Sequence, residues 1–323
     1  MKKTGLLLLV LLAVGTARAQ APDAASAPQA AANEDQGSAV THPIEHLQAP
    51  TYADQYCAGF ISKQLLPNAN YVSGGLHSPN TTKFVIGDVV YLAGSGYQKG
   101  QQFTIVRELK DPNRYEAFPG QAAILKQTGQ AYAELGRVKV VDTRSKMAIA
   151  EVEYSCEPMV PGDIVTPFET KPQITMRQPA RFDRFAPPSG KPMARIVMAR
   201  DFDSLIGTGA KVYLNMGSNQ GLKPGDFLRA MRPYSDDYKD PVDSLSFKAA
   251  LAEDTQRKTP TMEAGLIDRQ YGSKGAKIHV QDFPTRSVGE LVVLSVTPTT
   301  ATAMVTFALE DIHAGDQVEV EQQ

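Results

Sequence analysis

The chain has 323 residues, a length that suits two domains and gives ample material for sizeable cores. Its 33 basic and 35 acidic residues leave a formal charge of −2, which provides no electrostatic capture of nucleic acid or anionic lipid. There is no tryptophan, so a carbohydrate platform would have to be built from Tyr and Phe.

In chain order, "MKKTGLLLLVLLAVGTARA" has the three parts of a secretory signal: Lys2 and Lys3, an apolar stretch from Leu6 to Val14, and Ala17-Arg18-Ala19 before Gln20. The apolar run is shorter than the roughly 20 residues a bilayer-spanning helix needs, and no later segment is apolar enough to span a membrane. Residues 1–19 are therefore expected to be a signal peptide, and the mature chain to be exported to the periplasm or outside the cell, without a transmembrane segment. Losing Lys2, Lys3 and Arg18 leaves 30 basic residues against 35 acidic ones, a formal charge of −5. Residues 20–48, rich in Ala, Pro, Gln and Ser, read as a disordered tether.

A first β-domain is expected over 49–168. Residues 169–192 follow, where the density of proline suits neither a regular helix nor a central strand. This is the interdomain linker, extended and partly docked through Phe182 and Phe185. A second β-domain is expected over 193–323. The only cysteines, Cys57 and Cys156, are expected to pair in an exported protein, the alternative being two buried thiols.

The two domains are copies of one pattern. Leu135 to Val165 overlays Val288 to Val318 without a gap at a constant offset of 153, placing Gly136 on Gly289, Val140 on Val293, Val152 on Val305 and Gly162-Asp163 on Gly315-Asp316. Upstream, Val90-Tyr91-Leu92 falls on Val212-Tyr213-Leu214, and Lys99-Gly100 reaches Pro224-Gly225 only if the second copy carries three extra residues. "GRVKVVDT" and "GELVVLSV" have the β-branched density of strands, "MAIAEVEY" and "ATAMVTFA" alternate small and large side chains, and the joins are turn-length. Each copy thus holds about five or six strands, the size at which a sheet closes into a small barrel or packs as a sandwich. Gly87-Asp88, Gly162-Asp163, Gly225-Asp226 and Gly315-Asp316 read as strand-entry turns, with Gly supplying the backbone conformation and Asp accepting local amide hydrogen bonds.

The succession of a Val-Tyr-Leu strand, a "QKGQQF" or "LKPGDF" turn, "LGRVKVVDTRSKMAIAEV" and "EPMVPGDIV" resembles the C-terminal β-barrel domain of flagellar assembly protein T and related bacterial envelope proteins. The resemblance covers 80–167 and 193–321. It implies an all-β barrel with a scaffolding or binding role in the cell envelope, and brings no catalytic residues. This chain differs in having two such barrels and no α/β domains before them.

The residues offer little chemistry of their own. His42 and His46 have i, i+4 spacing but sit at the edge of the tether beside Pro43, too few ligands for a closed metal site. His77, His279 and His313 are dispersed and read as turn or surface positions, and Asp236-Asp237 and Glu310-Asp311 as solvated loops. "GSGYQKG" and "GSNQG" match neither a nucleophile elbow nor a phosphate cradle. No catalytic, cofactor or metal residues are therefore assigned. The second copy carries an α/β insertion over 234–287, with a helix expected across Val242 to Asp254 and an edge strand in "AKIHVQDF"; it is either a cover over one barrel mouth or a partner site. The expectation is an all-β, tandem-barrel, exported adaptor without enzymatic activity, whose partner is an envelope protein or cell-wall component. A peptidoglycan- or glycan-binding module and a hydrolase with an unrecognised site are the alternatives.

Overall fold

The structure is a computed structural model, describing residues 41–44, 47–112, 115–144, 146–177, 181–232 and 284–321. The signal, the tether up to residue 40, His46, His279, Asp236-Asp237 and the insertion between 233 and 283 lie outside the described residues, as do the helix and edge strand expected within it.

Strand β1 (Thr41–Pro43), helix α1 (Tyr52–Tyr56) and β2 (Phe60–Ser62) come first. The first barrel follows: β3 (Tyr71–Gly75), β4 (Val89–Ala93), β5 (Gln102–Glu108), helix α2 (Gln121–Thr128), β6 (Gln130–Asp142), β7 (Ala148–Ser155) and β8 (Ile164–Pro167). After β9 (Arg181–Asp183) come β10 (Met193–Ala199), β11 (Leu205–Ile206), β12 (Lys211–Leu214), β13 (Phe227–Arg232), β14 (Arg286–Val296), β15 (Ala301–Ala308), β16 (Ile312–His313) and β17 (Gln317–Val320). Arg286 and Ser287, expected in the insertion, thus belong to a barrel strand.

Both sheets close, which decides between barrel and sandwich. The first ring runs β6-β5-β8-β3-β4-β7 and returns to β6; the second runs β14-β13-β17-β10-β12-β15 and returns to β14. Strand for strand the order is the same, and the sequence offset holds in space: Val138 pairs with Val152 as Leu291 pairs with Val305, and Val140 with Ala150 as Val293 with Ala303. The register shift at Ile105/Val106 recurs at Ala230/Met231. Gly100 donates to the Val140 carbonyl at 2.7 Å and Gly225 to the Val293 carbonyl at 2.8 Å, so the three extra residues lie upstream of Gly225, beside the 3-10 turn Ser218–Gln220.

The interiors are filled by equivalent side chains. Val72, Val90, Leu92, Ile105, Val138, Val140 and Val152 in the first barrel match Ile196, Val212, Leu214, Ala230, Leu291, Val293 and Val305 in the second, all essentially without solvent exposure. Ala150 and Ala303, the small members of the alternation, leave room for these branched chains in a narrow ring. At Gly136, whose φ is +149°, and at Gly289, a Cβ would run into the carbonyl oxygens of Tyr154 and Phe307, so the neighbouring strand can approach only a glycine.

The outer faces differ. Lys139 on β6 points to water, giving alternation over Arg137 to Val140, whereas the matching part of β14 is buried on both faces, with Val292 and Leu294 turned outward. Ala58 and the linker residues Ile174 and Met176 cover them. Along the linker, Phe182 is buried against the Phe307 ring at 5.6 Å, while Phe185 is 43% exposed and does not dock. The tether ends earlier than expected: Thr41–Pro43 pairs with β9, Ile44 is buried, and Gln48 donates to the Thr306 carbonyl at 2.9 Å.

The segment before the first barrel is a wedge between the two. β2 adds to β6 through Phe60–Tyr132 and Ile61–Ala131 pairs. From the second barrel, Thr302 Oγ1 donates to the Gly59 carbonyl at 2.8 Å, Thr300 Oγ1 to the Ile61 carbonyl at 2.8 Å, and the Tyr213 hydroxyl to the Ala58 carbonyl at 3.2 Å. Burial pushes the Tyr213 phenol well above its ordinary range, so it stays a neutral donor. Gln121 of α2 reaches the Val197 carbonyl at 2.9 Å, Arg200 pairs with Glu157, and Lys211 Nζ meets Asp54 at 2.5 Å.

Burial raises the Asp54 carboxyl, but the Lys211 ammonium and hydrogen bonds from Thr51 outweigh it and leave the group below its ordinary value. A carboxyl depressed in the folded state contributes stability above its unfolded pKa, about 3.9, and loses that contribution as pH falls through the folded value. The difference in melting temperature between wild type and Asp54→Asn is therefore expected to be full at neutral pH and to close in acid below about pH 4. Thermal melts across that range check it; a gap that widens in acid would reverse the sign of the argument.

Candidate functional site

The four Gly-Asp steps adopt turn geometry, with positive φ at Gly87, Gly162, Gly225 and Gly315. Asp88 accepts from the Val85 amide, Asp163 from Val160, Asp226 from Lys223 and Asp316 from His313, at 2.7–2.8 Å. Asp163 and Asp316 do more. Arg107 on β5 forks onto Asp163 at 2.7 and 2.8 Å and donates to the Pro158 carbonyl at 3.0 Å. Arg232 on β13 forks onto Asp316 at 2.9 and 2.7 Å and reaches the Asp311 carbonyl at 2.7 Å. Each closing turn is thereby clamped by the strand that pairs with the one it feeds, and the pair is a structural bolt rather than reactive chemistry. The sequence repeat aligns the two aspartates, and the Arg partners also share one offset, 125, the signal by which the clamp could have been found.

Cys57 and Cys156 are bonded, with Cα atoms 5.8 Å apart. His42 lies on β1 opposite Phe182, and His77 is exposed in a turn. His313 departs from its expected surface position: it is 9% exposed, on β16 opposite Leu205. Glu310 is not a free loop carboxylate either, since Arg184 and Arg286 both pair with it. Among the described residues no group of three His, Cys, Asp or Glu side chains is placed to hold a metal ion.

A cleft of about 740 Å³, with room for a ligand, lies where the barrels meet. Its walls come from the wedge (Tyr56, Phe60), the approach to β3 (Leu66, Pro67, Asn70), the end of β8 (Thr166, Pro167), the start of the linker (Glu169 to Pro172) and the end of β14 (Leu294 to Thr297). Glu134 sits in the floor, only 6% exposed, accepting from the Gly59 amide at 3.1 Å and from Lys171 Nζ at 2.7 Å. Lys171 also donates to the Gln55 carbonyl at 2.8 Å and stands 5.6 Å from the centre of the Tyr56 ring. Strand, wedge and linker are pinned together at this point, and the charges cancel. Beyond the rim the rings continue, Tyr56 stacking on Tyr52 at 4.4 Å and on Phe168 at 5.7 Å.

A second hollow of about 360 Å³ lies under the linker, where Arg229 pairs with Glu319 and Arg177 with Glu321, so its charge is spent internally. No family model matches the sequence, and neither does any curated protein.

Proposed function

We propose that this is an exported, non-catalytic adaptor of the bacterial envelope that holds another envelope component against its outer surface. The observation that carries this reading is the pair of filled barrels: with both interiors occupied by their own branched side chains, ligand contact falls to the outer surface and the cleft between the rings. Pre-organisation supports it as well. Wedge and linker are both committed to fixing one barrel against the other, which reduces the ordering cost on binding. The signal-like N-terminus, the disulfide and the resemblance to the flagellar assembly protein T barrel support the envelope setting.

In-envelope crosslinking of the full chain, followed by identification of what is joined to it, tests the assignment. A reproducible envelope component, lost when the cleft or an outer face is altered, is the expected result. Turnover of an envelope polymer by the purified protein would instead make it a hydrolase.

A further inference from the structure

We infer that the cleft between the barrels is a binding site for an uncharged oligosaccharide. The inference rests on the adaptor reading and names the chemistry of the component held there.

Three observations lead to it. The lining is neutral in effect, because the one buried carboxylate, Glu134, is already taken by Lys171 and the Gly59 amide; Glu169, on the rim, is the remaining charge. A polyanion has nothing to bind here and a polycation little. The lining also carries hydrogen-bonding groups with no use inside the fold: no described residue takes up the side-chain hydroxyls of Thr104, Thr170 and Ser295 or the Glu169 carboxylate, although they come from three different parts of the chain. Finally, the rings of Pro67, Pro167 and Pro172 border the same space, together with Phe60, which is stacked on Tyr132, and Tyr56, which is stacked on Tyr52 and Phe168. An apolar wall of proline and aromatic ring edges with scattered neutral donors and acceptors complements a sugar chain, which has an apolar face on each ring and hydroxyls at its edges. The volume lies within the range of ligand pockets, roughly 300–1,000 Å³.

An extended peptide fits less well, for reasons of backbone. Strand addition needs a free edge with both donors and acceptors. β3 and β8 share one ladder pair, Tyr71–Ile164, where the equivalent β10 and β17 share three, so the gap in the first barrel lies beside the end of β8. That end is Pro167, which has no N–H to offer. The wedge strand offers no better edge, since Thr300 and Thr302 already occupy the carbonyls of Ile61 and Gly59.

The test is titration of the full mature chain with three uncharged hexasaccharides, hexa-N-acetylchitohexaose, cellohexaose and maltohexaose, followed by calorimetry and by tyrosine emission. Parallel arms use a polyanionic oligosaccharide and a proline-rich decapeptide. Saturable binding of at least one neutral sugar is expected, about tenfold or more weaker in Ser295→Arg, which brings a long cation into the second-barrel wall, and in Thr170→Arg, which does so from the linker wall. Both sites are at the surface of the cleft, and an unchanged melting temperature excludes misfolding as the cause. No binding of any neutral sugar, binding indifferent to both substitutions, or binding of the peptide alone overturns the inference. If sugars fail while crosslinking still captures an envelope protein, the adaptor reading stands without it; if both fail, both fall.

Discussion

Replacing Asp316 with Ala is expected to cost about 3–5 kcal/mol, whereas the same change at Asp163, its counterpart by sequence, is expected to cost about 1–2 kcal/mol. The two carboxylates have in common a fork from arginine and one turn amide. What separates them is the medium around the arginine. The Arg232 side chain is 3% exposed and that of Arg107 is 36% exposed. Removing Asp316 takes two charge-assisted hydrogen bonds from a guanidinium that water cannot reach, so solvent replaces neither of them. Removing Asp163 lets solvent replace much of what is lost, leaving chiefly the turn amide of Val160 without its acceptor. For a chain of this size each kcal/mol lowers the melting temperature by roughly 2–4 °C, so thermal melts resolve the difference easily. Equal losses in the two variants would mean that the second barrel is more hydrated around Arg232 than the structure has it. Asp316→Asn, which keeps an acceptor for the His313 amide but not the charge, is expected to recover little of the loss.

How far all this was legible in the chain depends on what a residue answers to. Positions answering to their own strand were readable: the alternation in "RVKVVD" shows which side chains face inward, because the period is two, and the 153-residue offset shows that both copies share the pattern. The Gly-Asp turns were readable for the same local reason. What escaped was packing between copies. "ELVVLSV" is apolar at consecutive positions, and Val292 and Leu294 could have been read as a strand covered on both faces, the pattern of a wall with something packed on it. The identity of the cover, Ala58 with Ile174 and Met176, was not available, since it comes from two segments over a hundred residues away whose own patterns are those of loops. Phe182 and Phe185 make the same point: both are aromatic residues in a proline-rich stretch, and only the position of Phe307 decides which one is buried. The cleft is further still from the sequence, because its lining is short runs and single residues from many places and no spacing joins them.

The disulfide is where local and long-range order meet, and removing it is expected to be the other large effect. Cys57 lies within the wedge, directly before Ala58, and Cys156 just after β7, 99 positions apart along the chain. Closing a loop of about 100 residues removes on the order of 4.7 kcal/mol of denatured-state entropy in the chain-entropy model, and native adjustment commonly lowers the realised value. The Cys57→Ser, Cys156→Ser double variant is therefore expected to be less stable than wild type by about 2–4 kcal/mol. The consequence extends beyond the first barrel. The staple fixes the start of Ala58–Ile61, and that stretch carries the carbonyls that accept from Tyr213, Thr302 and Thr300 of the second barrel. Loosening it should raise amide exchange not only in β2 but also around Thr300 and Thr302, while the far side of the second barrel, at the β13–β17 pairing, stays protected. Hydrogen exchange read by mass spectrometry separates this from uniform destabilisation, in which every strand would exchange faster by a common factor. Thiol titration of the unfolded, unreduced protein supplies the direct control: no reactive thiol is expected, and two per chain would mean that the wedge is held by its hydrogen bonds alone.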